Sequence, residues 1–135
     1  MKTKPILSEH ETALMMTAAV AEAKKHGWPV AISIVDDGGH LLAMTRLDNT
    51  APINAGVAQE KASTAAISGF ESKLFEEMGA SGRVALLSAP LVTALGGGLP
   101  VLVNGQIAGA IGASGVTAEQ DMQVAKAGLA ALTNV

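Results

Sequence analysis

Few residues in this chain could do chemistry, and none of them completes a catalytic set. There are three histidines and no cysteine, so disulfides, cysteine-ligated zinc or iron–sulfur sites and thiol nucleophiles are excluded together. No two histidines fall at helical i, i+4 spacing, and a metal site built from them is not expected. His26 closes a helical stretch, where an imidazolium complements the helix dipole. His40 leaves a tight turn at the head of a strand, facing either a pocket or water. His10 lies in a first helical turn. Ser114 sits in Gly112-Ala113-Ser114-Gly115, which lacks the Gly-x-Ser-x-Gly elbow of a serine nucleophile, and no His–Asp pair can be set beside it. Gly96-Gly97-Gly98 is followed by a strand without Gly-Lys-Ser/Thr, so it reads as a backbone bend and not a phosphate loop. Gly109, Gly112 and Gly115 likewise fail the dinucleotide fingerprint; on a strand they point to close backbone packing.

The charged candidates are sparser still. Arg46 and Asp48 share a face by strand period, as an ion pair or as a polar pocket wall. Lys61 is the odd cation in an alanine-rich helix that otherwise asks for burial, and a partly desolvated lysine there wants a carboxylate or an anionic ligand. Asp121, in the first turn of the last helix, has a dipole reason to be there and can face the same cleft. A ligand pocket is therefore expected where the hairpin turns, Lys61 and the Ser114-to-Asp121 junction converge.

The elements that must position these residues are well punctuated. Ser8-Glu9-His10-Glu11 is a capping box, and a helix is expected from there to His26, with Met16, Val20 and Ala23 as its apolar stripe and Gly27 as its stop. Val30 to Val35 and His40 to Leu47 are strands joined by Asp36-Asp37-Gly38-Gly39, a strong hairpin signal. Asn49-Thr50-Ala51-Pro52 offers a cap and an early-turn proline for a second helix through Gly69, with a short further helix over Glu71 to Met78. Val84 to Leu87 and Leu91-Val92, around Pro90, read as edge strand or buried loop. Asn104-Gly105 joins a second hairpin, Val101–Val103 with Gln106–Ala113. Thr117-Ala118-Glu119-Gln120 caps a last helix whose two apolar stripes require burial on more than one side. Two hairpins among helices, without βαβ alternation, indicate an α+β fold with an antiparallel sheet.

At 135 residues the chain is one domain's worth, 1–135. It is 49% hydrophobic, but no stretch nears the roughly 20 apolar residues of a membrane span. Polar Ser8 to Glu11 stands where a signal peptide would put its apolar stretch, so a cytoplasmic location is expected. A net charge of −3 without Lys/Arg clusters, and only two Phe and one Trp, argue against nucleic-acid binding. Small residues along the helices suit close helix contacts between subunits, and a homo-oligomer is expected.

These segments also carry a family likeness. Val35-Asp36-Asp37-Gly38-Gly39-His40-Leu41-Leu42-Ala43 with Arg46-Leu47-Asp48, then Glu60 to Ala66, then Gly97-Gly98-Leu99-Pro100-Val101, then Gly109 to Gly115 with Gln120-Asp121, resemble the GlcG-like, or HbpS-like, family over nearly the whole chain and in order. The resemblance implies a profilin-like fold, a central antiparallel sheet flanked by helices, assembled into dimers or larger rings. It implies heme as a cofactor in some members, coordinated in some through a histidine near the N-terminal helix, which makes His10 and His40 the cofactor-binding candidates. It implies an oligomeric small-ligand-binding or accessory protein linked to glycolate, glycerol or diol metabolism; the alternative is an enzyme acting on small hydroxy acids, aldehydes or diol metabolites.

Overall fold

The computed structural model describes residues 1–90 and 93–132. The chain runs α1 (Glu9–His26), β1 (Ala31–Val35), β2 (Leu41–Arg46), α2 (Ile53–Ser68), α3 (Ser72–Ala80), a 3₁₀ turn (Val84–Ser88), β3 (Gly98–Val103), β4 (Gln106–Ser114) and α4 (Ala118–Ala130). The strands form one antiparallel sheet in the order β2-β1-β4-β3. Helices α1 and α4 pack against each other over one face, and α2 crosses the other. This is the α+β architecture of a central antiparallel sheet flanked by helices.

Each face is packed differently. Ile32, Ile34, Ile111 and Ala113 meet Met15, Ala19, Val124 and Ala125 in the larger core under α1 and α4. On the α2 side the core is Val35 and Ala110 against Ala62, Ala65 and Ala66. Alanines leave little side chain to interpose, so α2 lies almost directly on the sheet. Across the strands, Gly98, Gly112 and Ser33 form one row. A Cβ at Gly112 would run into the Ala58 carbonyl and the Ala62 amide, and one at Gly98 into the Lys61 carbonyl. The glycines are there because the α2 backbone occupies that space.

Both capping boxes form. The Glu11 carboxylate accepts the Ser8 amide at 2.9 Å as well as the Ser8 hydroxyl, and Thr117 accepts the Gln120 amide at 3.2 Å. Gly27 ends α1 in the left-handed region at φ +68°. Three local expectations are corrected. The buried stripe of α1 is Thr12, Met15, Ala19 and Ala23, with Met16 and Val20 on its flank, because the two stripes differ by one residue, about 100° of rotation. Asn49 does not cap α2: it adopts φ +69° in the preceding turn, and Pro52 opens the helix with no side-chain cap. Val84–Ser88 is a 3₁₀ turn with Val84 and Leu87 exposed, neither edge strand nor buried loop; Leu91-Val92 lies outside the described residues. Among the described residues no helix is long and apolar enough to cross a membrane.

Candidate functional site

The sequence candidates separate into a buried group and an exposed one. Lys61 and Asp121 are each 3% exposed. Lys61 Nζ donates to Asp121 Oδ2 and to the Ala113 carbonyl, both at 3.0 Å. Asp121 Oδ1 accepts the Val116 amide at 3.1 Å, and burial pushes the Asp121 carboxyl above the usual carboxylate range against the attraction of Lys61. The pair thus ties the middle of α2 to the start of α4 and the end of β4. Gly97 closes over it, its carbonyl accepting the Ala113 amide at 3.0 Å, while buried Ser72 accepts the Gly98 amide at 2.8 Å. Ser114 is also buried and donates to Asn54 Oδ1 at 2.8 Å. Every one of these groups is spent on a protein partner.

The exposed candidates lie elsewhere. His10 stands in the first turn of α1 and His40 just past the β1–β2 turn, its side chain 83% exposed and its Nδ1 3.3 Å from Asp36. Arg46 ends β2, and Asp48 lies in the turn beyond it. Because β2 stops between them, they no longer follow strand period, and no ion pair joins them among the described residues. The expected convergence is built only in part: Lys61 meets the Ser114-to-Asp121 junction through Asp121 and the Ala113 carbonyl, but the hairpin turns do not join them. Lys61 points into the sheet, whereas Ser63, two residues and some 200° further round α2, is the one that reaches the β1–β2 turn, donating to the Gly39 carbonyl at 2.8 Å. The Asn104-Gly105 turn lies at the far end of β3 from Gly98, about 20 Å along the strand.

Three surface clefts take in the exposed candidates and their neighbours. One, of about 540 Å³, is of mixed polarity and lies between the β1–β2 turn and α2, lined by His40, Gln59, Glu60, Ser63, Ile67 and Thr93, with the Thr93 hydroxyl donating to the Glu60 carboxylate at 2.7 Å. A second, of about 590 Å³, lies between the first turns of α1 and β2, lined by Leu7, Thr12, Ala13, Met16, Leu42 and Ala43; His10 shares its turn with Ser8 and Glu9, which also line it. A third, of about 410 Å³, lies at the other end of α1, lined by Lys24, Trp28, Pro29, Arg46 and Asp48. Among the described residues no group of three or more His, Asp and Glu is arranged to hold a metal ion. Sequence reasoning missed Asn54, Ser72, Lys24 and Trp28. Asn54 and Ser72 depend on contacts with Ser114 and Gly98, far along the chain, and Lys24 and Trp28 on a cleft made with the end of β2; local spacing holds no signal for either.

Comparison with known proteins agrees with this geometry. The family model described as "haem degrading protein HbpS-like" matches residues 7–130. GlcG of Escherichia coli K12 is 54% identical over 114 residues, covering 84% of this chain and 85% of that one. Among solved structures, HbpS of Streptomyces reticuli, in a double-mutant form, superposes with a TM-score of 0.91 at 29% identity over 99% of this chain and 92% of that one. A PduOC:heme complex does so with a TM-score of 0.87 at 29% identity over 95% and 96%.

Proposed function

Because the chain belongs to the HbpS-like family, we propose that it is a small-ligand-binding protein of the cytoplasm that takes up a tetrapyrrole, working as a homo-oligomer in an accessory role. The observation that carries this reading is the apolar cleft of about 590 Å³ beside exposed His10. A flat macrocycle needs apolar walls and an imidazole at their edge. Leu7, Met16 and Leu42 supply the walls; His10 does not itself line the cleft but is exposed in the same helical turn as Ser8 and Glu9, which do. When bound, heme would supply an iron centre at that edge; the chain's own part is to shield the macrocycle from water and to offer one nitrogen. His40 is the competing ligand, but its cleft is lined by Gln59, Glu60, Ser63 and Thr93, which suit a polar molecule better. A relative solved with heme on the same fold supports the reading.

Titration of the purified protein with hemin tests it. A saturable Soret change is expected, lost or shifted in His10→Ala and retained in His40→Ala. The reverse pattern would move the site to the β1–β2 turn, and no saturable change would end the tetrapyrrole reading. Light scattering is expected to give a mass that is a multiple of 13.6 kDa.

A further inference from the structure

The cleft at the C-terminal end of α1 contains two cations and one carboxylate that the fold does not use. We propose that this cleft binds a small carboxylate bearing a hydroxyl or an amine on the neighbouring carbon, with Arg46 and Lys24 taking the carboxylate and Asp48 the adjacent donor. The site is separate from the first-turn cleft, and the proposal does not depend on the tetrapyrrole reading.

The argument rests on what surrounds these groups. Lys24, Arg46 and Asp48 line one concavity of about 410 Å³ with Trp28 and Pro29, and none of the three side chains has an ion-pair or hydrogen-bond partner among the described residues. Lys24 sits in the last turn of α1, where a cation could serve the free carbonyls. Two of those carbonyls are already met by backbone: Gly27 donates to Lys24 at 3.1 Å and Trp28 to Ala23 at 2.9 Å. Arg46 ends an edge strand. Two unpaired cations in a concavity raise the local positive potential and draw anions, and the guanidinium fork matches a carboxylate. An anion alone would leave Asp48 facing it, so the fitting ligand also presents a donor to Asp48.

The wall is held in place. The Trp28 indole stacks on the His26 ring with centroids 4.3 Å apart and planes 17° from parallel. His26 Nε2 lies 3.4 Å from the Glu22 carboxylate, and Gln123 of α4 donates to that carboxylate at 3.1 Å. On the other side the Leu47 amide donates to the Val30 carbonyl at 3.0 Å, which fixes the segment that carries Arg46 and Asp48.

Trp28 is the chain's one tryptophan, so its emission reports on the cleft directly, and isothermal calorimetry gives an independent reading. The probes are lactate, alanine, propionate and inorganic phosphate. Lactate or alanine is expected to bind saturably and propionate more weakly; whichever of the first two binds tighter identifies the donor as hydroxyl or amine. Arg46→Gln is expected to weaken binding by roughly tenfold or more, and Asp48→Asn to bring the favoured probe and propionate together. Both positions are exposed, and circular dichroism confirms that the variants fold. No saturable response to any probe by either method overturns the proposal. So does phosphate or propionate binding as well as the favoured probe, or binding that survives Arg46→Gln.

Discussion

At the scale of single residues, the Lys61–Asp121 pair has the largest consequences. Burial costs both charges their hydration, and their attraction recovers it only while both are present. Lys61→Ala should therefore cost about 3–5 kcal/mol, a large share of a typical domain's stability, whereas Lys61→Met combined with Asp121→Leu should recover most of it; urea unfolding at pH 7 reads both. The pH dependence has a definite sign. Since burial holds the Asp121 carboxyl above its ordinary range, its contribution is complete below the unfolded value of about 3.9 and is lost as pH rises through the raised folded value. Asp121→Asn, which cannot ionise, should flatten that part of the stability curve. Asp37 runs the other way. The Lys4 hydrogen bond holds its carboxyl low, so its contribution is present above the ordinary value and lost as pH falls through the lowered one. Lys4→Ala should return the Asp37 titration to the ordinary range, as followed by carbon NMR. Lys61 was legible as a buried cation because alanines surround it in sequence. Its partner was legible only as a residue expected to face the same cleft, since Asp121 lies 60 residues away and already had a local reason, the helix dipole, to be where it is.

At the scale of elements, the seat of α2 on the sheet decides most. Gly112→Ala would drive a methyl into the backbone of Ala58 and Ala62, where no flexible side chain can yield. A loss of roughly 1–3 kcal/mol or more is expected, read as a lowered urea midpoint. Gly105→Ala provides the contrast. It has open space at the Cβ position but φ +77°, so only backbone strain opposes it, and the loss should be smaller, near 1 kcal/mol. Sequence pattern exposed these elements unevenly. Capping boxes and the Asp-Gly-Gly and Asn-Gly turns are local devices, in which a few adjacent residues satisfy one another's backbone groups, so α1, α4 and both hairpins could be read directly. The glycines of β4 signalled close packing but not what packed there. The phase of the α1 stripe and the 3₁₀ turn at Val84–Ser88 depend on which neighbour arrives, and apolar residues spaced along a helix admit two adjacent phases.

At the scale of the whole molecule, α1 connects the two proposed sites. Its 18 residues span roughly 27 Å at 1.5 Å per residue, with the apolar cleft beside His10 at one end and the Arg46 cleft at the other. The antiparallel sheet could be foreseen from the two hairpins, but the placement of clefts could not, because each is made by elements that meet only after α1 and β2 pack. Between the clefts, α1 is held by its buried stripe against the sheet and α4, with no hinge glycine before Gly27. Two ligands that bind the same rigid body at separated sites should stabilise it independently. Each adds RT ln(1 + [L]/Kd), about 2.7 kcal/mol at a hundredfold excess over Kd. Unfolding measured with hemin, with the favoured carboxylate and with both should then give increments that sum within about 0.5 kcal/mol. A shortfall or excess beyond that would mean that binding at one end of α1 shifts the other, and α4, tied to α1 through Gln123 and Glu22, would be the element to examine for that shift.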